Sequence, residues 1–114
     1  MDTIELRVLL TPSQCGRWYA QVLDHDLAAD GRDIDDVLFE LSRVLNVHVA
    51  SCNQLDRKPF ECLGPAPSRF HKLWETAKDI EATLPDLRSI QMDLRTSLRY
   101  GASLTKRAGH SRRW

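Results

Sequence analysis

A long amphipathic segment in the middle of the chain is the feature that most constrains the fold. From Ile34 to Gln54, apolar side chains recur at steps of three and four residues, the spacing of one helical face. Asp33 precedes the segment and can cap it by accepting a bond from an unpaired backbone N–H. Asp35 and Asp36 fall in the first turn, where negative charge suits the helix dipole. The apolar stripe comprises Ile34, Val37, Leu38, Leu41, Leu45, His48, Cys52 and Leu55. The sequence therefore predicts a long helix with one buried face.

Three short segments before this helix are predicted to be strands. Apolar and polar side chains alternate from Thr3 to Leu10 and again from Trp18 to Leu23, the period of a strand with one buried face. Residues that favour turns separate these two segments, so we expect an antiparallel hairpin. Leu27 to Asp30 is short enough for a third strand, and Gly31 closes it. We expect Trp18 or Tyr19 in the core together with Leu41.

The second half of the chain predicts one more helix and one more strand. Prolines and a glycine between Asp56 and Pro67 interrupt the first helix. Ser68 can cap a second helix, which Pro85 ends. The apolar face of that helix would comprise Phe70, Leu73, Trp74, Ala77, Ile80 and Leu84. Alternation from Ser89 to Thr96 predicts a last strand.

These elements predict an α+β fold with a β-β-β-α core. The sheet should be rich in antiparallel pairs and have three or four strands, one face being covered by the long helix. We predict one domain over residues 1–100 and a flexible basic tail over residues 101–114. An exposed sheet edge invites pairing. Because the Phe60–Pro67 loop and the Phe70–Trp74 face also supply apolar area, we expect a homodimer or a higher oligomer.

Composition and charge narrow the function classes. The 114 residues fit one domain, and no apolar run approaches the roughly 20 residues that span a bilayer. The N-terminus lacks a secretory signal pattern, and three cysteines without paired spacing favour a reducing compartment. We therefore predict a cytoplasmic protein. The formal net charge is zero, but the chain after Asp93 holds six basic residues and no acid.

An acidic turn is the first candidate for a metal site. It contains Asp24, His25, Asp26 and, a little further on, Asp30. A two-metal nuclease site needs several convergent carboxylates, and only Glu5 on the first strand and Glu40 on the long helix could add to these. A solvated acidic turn is the favoured interpretation. His48 and Cys52 lie four residues apart and could form half of a zinc site with Cys62, but a packed histidine is favoured there.

The sequence shows no other pattern typical of catalysis. It has no nucleophile elbow and no glycine-rich phosphate loop. We predict no catalytic residue, no cofactor and no metal.

A set of spaced residues resembles the HicB-like antitoxin family, whose members carry a truncated RNase H-like fold. The residues are Tyr19-Ala20, Asp24, Ala29, Gly31, Asp36, Leu41 and Leu45. The stretches Pro59-Phe60, Pro65-Ala66-Pro67 and Phe70-His71-Lys72-Leu73-Trp74-Glu75 are similar to a stand-alone bacterial subgroup. The chain departs from the family at His25-Asp26-Leu27, where Pro-Gly-Cys or similar is usual. It also shows no recognition helix after residue 85.

The resemblance implies a protein that binds rather than catalyses. Its expected partner is a HicA-like toxin or another small basic protein. The expected partner-binding residues are Asp24, Asp26, Asp30, Asp35 and Asp36. The alternative is a regulator associated with nucleic acid through its basic tail, which would use Lys106, Arg107, Arg112 and Arg113.

Overall fold

A computed structural model describes residues 3–85, 87 and 93–101. Within these residues the chain forms a five-stranded sheet and two α-helices. The elements are β1 (Thr3–Pro12), β2 (Trp18–Val22), β3 (Ala28–Gly31), α1 (Ile34–Gln54), α2 (Ser68–Thr76), β4 (Lys78–Asp79) and β5 (Asp93–Tyr100), with a 3₁₀ turn at Gln14–Gly16. The predicted α+β class is confirmed.

The sheet has the strand order β3-β2-β1-β5-β4. Strands β1, β2 and β3 pair antiparallel in chain order, and β4 is antiparallel to β5. Strands β1 and β5 are parallel, with Leu6 opposite Thr96. Parallel neighbours need a long crossover connection, and the chain that holds both helices supplies it. The sheet is therefore mostly antiparallel, as predicted.

The main core lies between the sheet and α1. Side chains on one face of the strands meet the apolar stripe of α1, because the strand period of two and the helical period of 3.6 each gather apolar residues on one side. The fully buried members are Leu6, Val8, Leu10, Ala20, Val22, Val37, Leu41 and Leu45. Burying one aliphatic side chain of this size stabilises the fold by about 1.5–3 kcal/mol.

The opposite face of the sheet is covered by α2. Leu9 and Leu23 from the sheet side are buried there against Phe70 and Trp74. The Arg99 guanidinium lies 4.4 Å from the centre of the Trp74 ring and donates a 2.9 Å hydrogen bond to the Trp74 carbonyl. The sheet is thus a middle layer between two helices.

The prediction for α1 is confirmed. An Asp33 carboxylate oxygen accepts a 2.8 Å hydrogen bond from the Asp36 backbone N–H, so the predicted cap is formed. Leu41 is fully buried, while Trp18 and Tyr19 are half-buried at the edges of the two cores. Leu55, predicted in the buried stripe, is instead 65% exposed.

The prediction for α2 is wrong in its length and its cap. The helix ends at Thr76, and Ser68 is already helical, with Pro67 at the cap position and no side-chain capping bond. Ile80 and Leu84 lie beyond the helix and pack into the core on the α1 side. Phe70 and Trp74 pack on the other side of the sheet, so one straight helix could not bury all six predicted residues.

The last strand is longer at its end than predicted. It runs to Tyr100, which pairs with Leu10 on β1, so the strand does not end near Thr96. Residues 88–92, and hence the predicted beginning at Ser89, lie outside the described residues. Strand β4 is only two residues long, too short for an alternating pattern, and it brings the sheet to five strands rather than three or four.

Candidate functional site

The five predicted partner-binding carboxylates fall into two groups. Asp24 and Asp26 lie in the turn between β2 and β3, whereas Asp30, Asp35 and Asp36 lie where β3 leads into α1. Strand β2 separates the groups, and its five residues span roughly 13 Å at 3.3 Å per residue. The structure therefore does not bring the five together in one patch.

The acidic turn is held by bonds from the sheet. The Arg7 guanidinium donates to both Asp24 carboxylate oxygens, at 2.6 and 3.1 Å. This bidentate pair holds the pKa of Asp24 below its usual range. Asp26 accepts a 2.9 Å bond from the side-chain amide of Gln21, which is buried. Both carboxylates thus anchor the turn, and Arg7 offsets the charge of Asp24.

The second group and the helix cap Asp33 together form what we call the acidic corner, which comprises Asp30, Asp33, Asp35 and Asp36. Asp36 accepts bonds from the backbone N–H of Arg32 at 2.9 Å and from its side chain at 3.4 Å. The backbone bond is the main reason that the pKa of Asp36 is lowered. With Arg17, which pairs with Asp30 at 3.1 Å, two guanidiniums face four carboxylates, leaving a net charge of −2.

In the part of the chain that the structure describes, no set of carboxylates converges in the manner of a two-metal site. Glu5 lies 3.9 Å from Arg95 of β5, and Glu40 pairs with Arg43 on α1 at 3.1 Å. Among the described residues, no group of three or more histidine, cysteine or acidic side chains is arranged to hold a metal ion.

His48 and Cys52 approach each other but are engaged in packing. The Cys52 Sγ lies 3.6 Å from His48 Nε2, and the same nitrogen accepts a 2.9 Å hydrogen bond from the backbone N–H of Phe60. Cys62 is exposed. The imidazole lone pair that would bind zinc is therefore already used by the loop.

Phe60 stacks against two histidines. The centre of its ring lies 4.8 Å from that of His25 and 5.0 Å from that of His48. The His25 Nδ1 atom is buried and has no hydrogen-bond partner in the described part of the chain. Phe60 itself is buried and has a positive φ of 69°, a conformation that costs energy for a residue with a side chain. The two rings and the backbone bond hold the α1–α2 loop in that conformation.

Phe60, His25 and His48 form what we call the Phe60 cluster, and acid is expected to loosen it. Burial lowers the pKa of both His25 and His48, and a protonated His48 cannot accept the Phe60 bond. Well above pH 6.5, roughly the ordinary pKa of histidine, these side chains are neutral in both the folded and the unfolded chain. As the pH falls through that value, the unfolded chain binds protons that the folded chain resists. Stability should therefore fall as the pH drops from 7.5 to 5.5, as measured by the urea midpoint.

Two variants separate this cluster from other sources of acid sensitivity. His48→Gln should make the pH-dependent loss smaller, because one titrating group is removed from the cluster. His71→Gln is the matched control, since His71 lies on α2 and the histidines that stack on Phe60 are His25 and His48. An equal change in both variants would show that the Phe60 cluster is not the cause.

Two features of the protein were not predicted from the sequence. The first is the contact of two guanidinium groups with the ring of Trp74. The Cζ atoms of Arg7 and Arg99 lie 5.8 and 4.4 Å from the centre of that ring. The second is an open groove beside α1 of about 390 Å³. The apolar residues expected to drive dimer formation, Phe60, Phe70 and Trp74, are instead buried within the chain. The predicted oligomer stays a prediction, but it needs a different surface.

The predicted nucleic-acid residues Lys106, Arg107, Arg112 and Arg113 lie outside the described residues. Gly101, the last described residue, is buried, and its N–H donates a 2.8 Å bond to the Leu10 carbonyl.

Neither helix in the described part of the chain has the length and apolar character needed to cross a membrane. Comparisons with protein-family models, with curated proteins and with solved structures find no match to this chain.

Proposed function

We propose that this chain is a non-catalytic binding protein of HicB-like antitoxin type, with a small basic protein such as a HicA-like toxin as its partner. The succession of three strands and a capped helix, β1-β2-β3-α1, agrees with the core that the resemblance implies. The described carboxylates are spread over the surface or bonded to arginines, which suits binding better than metal-dependent hydrolysis.

The acidic corner carries this proposal. Asp30, Asp33 and Asp35 are exposed there, and the corner has a net charge of −2. Asp30 pairs with Arg17, but both side chains are largely exposed, at 63% and 46%. An exposed pair of this kind is worth little, about 0–1 kcal/mol. A basic partner can therefore replace Arg17 at low cost, and complementary charge would speed the encounter and fix its orientation.

Charge reversal at the corner tests the proposal. The chain is mixed with the HicA-like toxin that the proposal requires in the same host, and the dissociation constant is measured by calorimetry at low and at moderate salt. The double variant Asp30→Lys/Asp35→Lys should weaken binding by at least about tenfold, because two attractive contacts become repulsive. The double variant Glu75→Lys/Glu81→Lys is the control for net charge, since both residues are exposed outside the corner and their replacement changes the charge by the same amount.

Two results would count against the proposal. If the unchanged chain does not bind the HicA-like protein at micromolar concentration, that protein is not its partner. Equal weakening by the corner variant and by Glu75→Lys/Glu81→Lys shows that net charge matters but the corner does not.

A cytoplasmic location belongs to the same proposal. Cys15, Cys52 and Cys62 are the three cysteines of the chain, and all are free. Free cysteines, two of them exposed, suit a compartment that keeps thiols reduced.

The alternative function, contact with nucleic acid through the tail, has its own expected signature. Four basic residues release at most about four counterions, so log affinity against log salt for a duplex should slope near −3.6 or shallower. Truncation should remove residues 102–114 and spare Gly101, which is packed against β1. The truncated chain should lose the binding and keep its fold. The same slope after truncation would contradict a role of the tail.

A further inference from the structure

Helix α1 carries a second apolar stripe outside the core. Val44 and Val47 lie one turn apart on this flank, and Leu55 at the C-cap of α1 continues the flank beyond the polar Ser51. Val47 and Leu55 are each 65% exposed. Single exposed apolar residues are common, but Val44 and Val47 are neighbours on one helical flank and together present an apolar surface.

Val44 and Val47 form part of one wall of the open groove beside α1. Leu27, which immediately precedes β3, forms part of the other side, so the groove lies next to the outermost strand of the sheet. The residues that line it are Leu27, Glu40, Arg43, Val44, Val47 and His48. An apolar groove of about 390 Å³ is large enough to accept side chains from another surface.

The charges at this groove distinguish it from the acidic corner. Glu40 and Arg43 are its acid and its base, and they pair at 3.1 Å. The groove therefore gives a strongly basic partner no electrostatic advantage. A surface that carries one charge of each sign beside an apolar stripe can complement itself, which is what a two-fold contact between identical chains requires.

We propose that a second copy of this chain docks here, with the two α1 helices antiparallel. Val44 and Val47 of each copy enter the groove of the other, and Arg43, which is 65% exposed and free to turn outward, reaches Glu40 of the other copy. The 21-residue helix is roughly 31 Å long. A contact confined to one flank of this helix is expected to bury less than the roughly 800 Å² per copy of a standard interface, so we expect the dimer to dissociate readily.

Sedimentation velocity over micromolar to submillimolar protein concentration tests the contact. The unchanged chain is expected to form a dissociable dimer, and Val47→Asp should weaken it at least about tenfold by placing a charge in the buried contact. Phe39→Asp is the matched control. Phe39 is 46% exposed on α1 but outside the groove, so its substitution should leave the dimer unchanged.

A charge exchange identifies the two-fold arrangement. Glu40→Arg leaves two arginines at the groove, and Arg43→Glu leaves two glutamates, so each variant alone should repel its own copy. A mixture of the two should regain the dimer, because each arginine then meets a glutamate. These surface substitutions keep the test decisive even if Val47→Asp disturbs folding.

Three outcomes overturn this proposal. They are a monomer at every concentration of the unchanged chain, a dimer unaffected by Val47→Asp in a folded protein, and a mixture of the charge variants that dimerises no better than each alone.

Discussion

Replacing Phe60 with alanine is expected to lower the free energy of unfolding by about 3–5 kcal/mol. The ring is buried at 3% exposure and stacks against both His25 and His48, so its removal leaves a cavity and two unsupported imidazoles. The substitution does not relieve the positive φ, because alanine has the same Cβ. Urea unfolding at pH 7.5, followed by far-ultraviolet circular dichroism, measures the loss.

Phe39→Ala is the control for this substitution. The same ring is removed from a position on α1 that is 46% exposed. Because alanine is a strong helix former and little buried surface is lost, the change should stay under about 1 kcal/mol. Similar losses for Phe60→Ala and Phe39→Ala would mean that the α1–α2 loop does not depend on the Phe60 cluster.

The helix α1 could be predicted because its signals are local. The Asp33 cap, the first-turn carboxylates and the apolar steps all fall within one segment, and no distant contact changes their meaning. The three strands before it were predictable for the same reason, since alternation shows in the first two and residues typical of turns bound the short third one. The α+β class followed from these elements.

The second half of the chain could not be predicted as well, because its pattern serves both faces of the sheet. Phe70 and Trp74 pack in the core on the α2 side of the sheet, but Ile80 and Leu84 pack in the core on its α1 side. Their helical spacing is therefore a coincidence of two separate contacts. The end of β5 at Tyr100 is likewise set by its pairing with Leu10, which is 90 residues away in the sequence.

The candidate sites show the same difference between what local sequence predicts and what depends on distant contacts. The sequence identified the acidic residues, but their partners are distant: Arg7 is 17 positions from Asp24, and Arg17 is 13 positions from Asp30. Only the folded chain shows which charges are neutralised. The stripe of Val44 and Val47 is visible in the sequence, but helical spacing alone does not tell an exposed flank from a buried one.

The second large effect is expected at Gly31, where β3 turns into α1. Gly31→Ala should lower the free energy of unfolding by about 3 kcal/mol. A Cβ atom there would lie 2.5 Å from the backbone nitrogen of Val37 and 2.7 Å from its Cα. These are backbone atoms in the first turns of α1 and cannot rotate away as a side chain could. The substitution must therefore push the helix from the strand that it covers, which opens the core around Val37.

Gly64→Ala provides the matched control for Gly31→Ala, measured by the same urea unfolding. A Cβ at Gly64 meets nothing within 4 Å, and its φ lies outside the left-handed range. Alanine there should be neutral or stabilise the fold by up to about 1 kcal/mol, because it restricts the unfolded chain. If Gly31→Ala proved as stable as Gly64→Ala, α1 could not lie against β3 as closely as described. The acidic corner, which depends on that junction, would then have a different geometry, and its proposed contacts with a basic partner would have to be reconsidered.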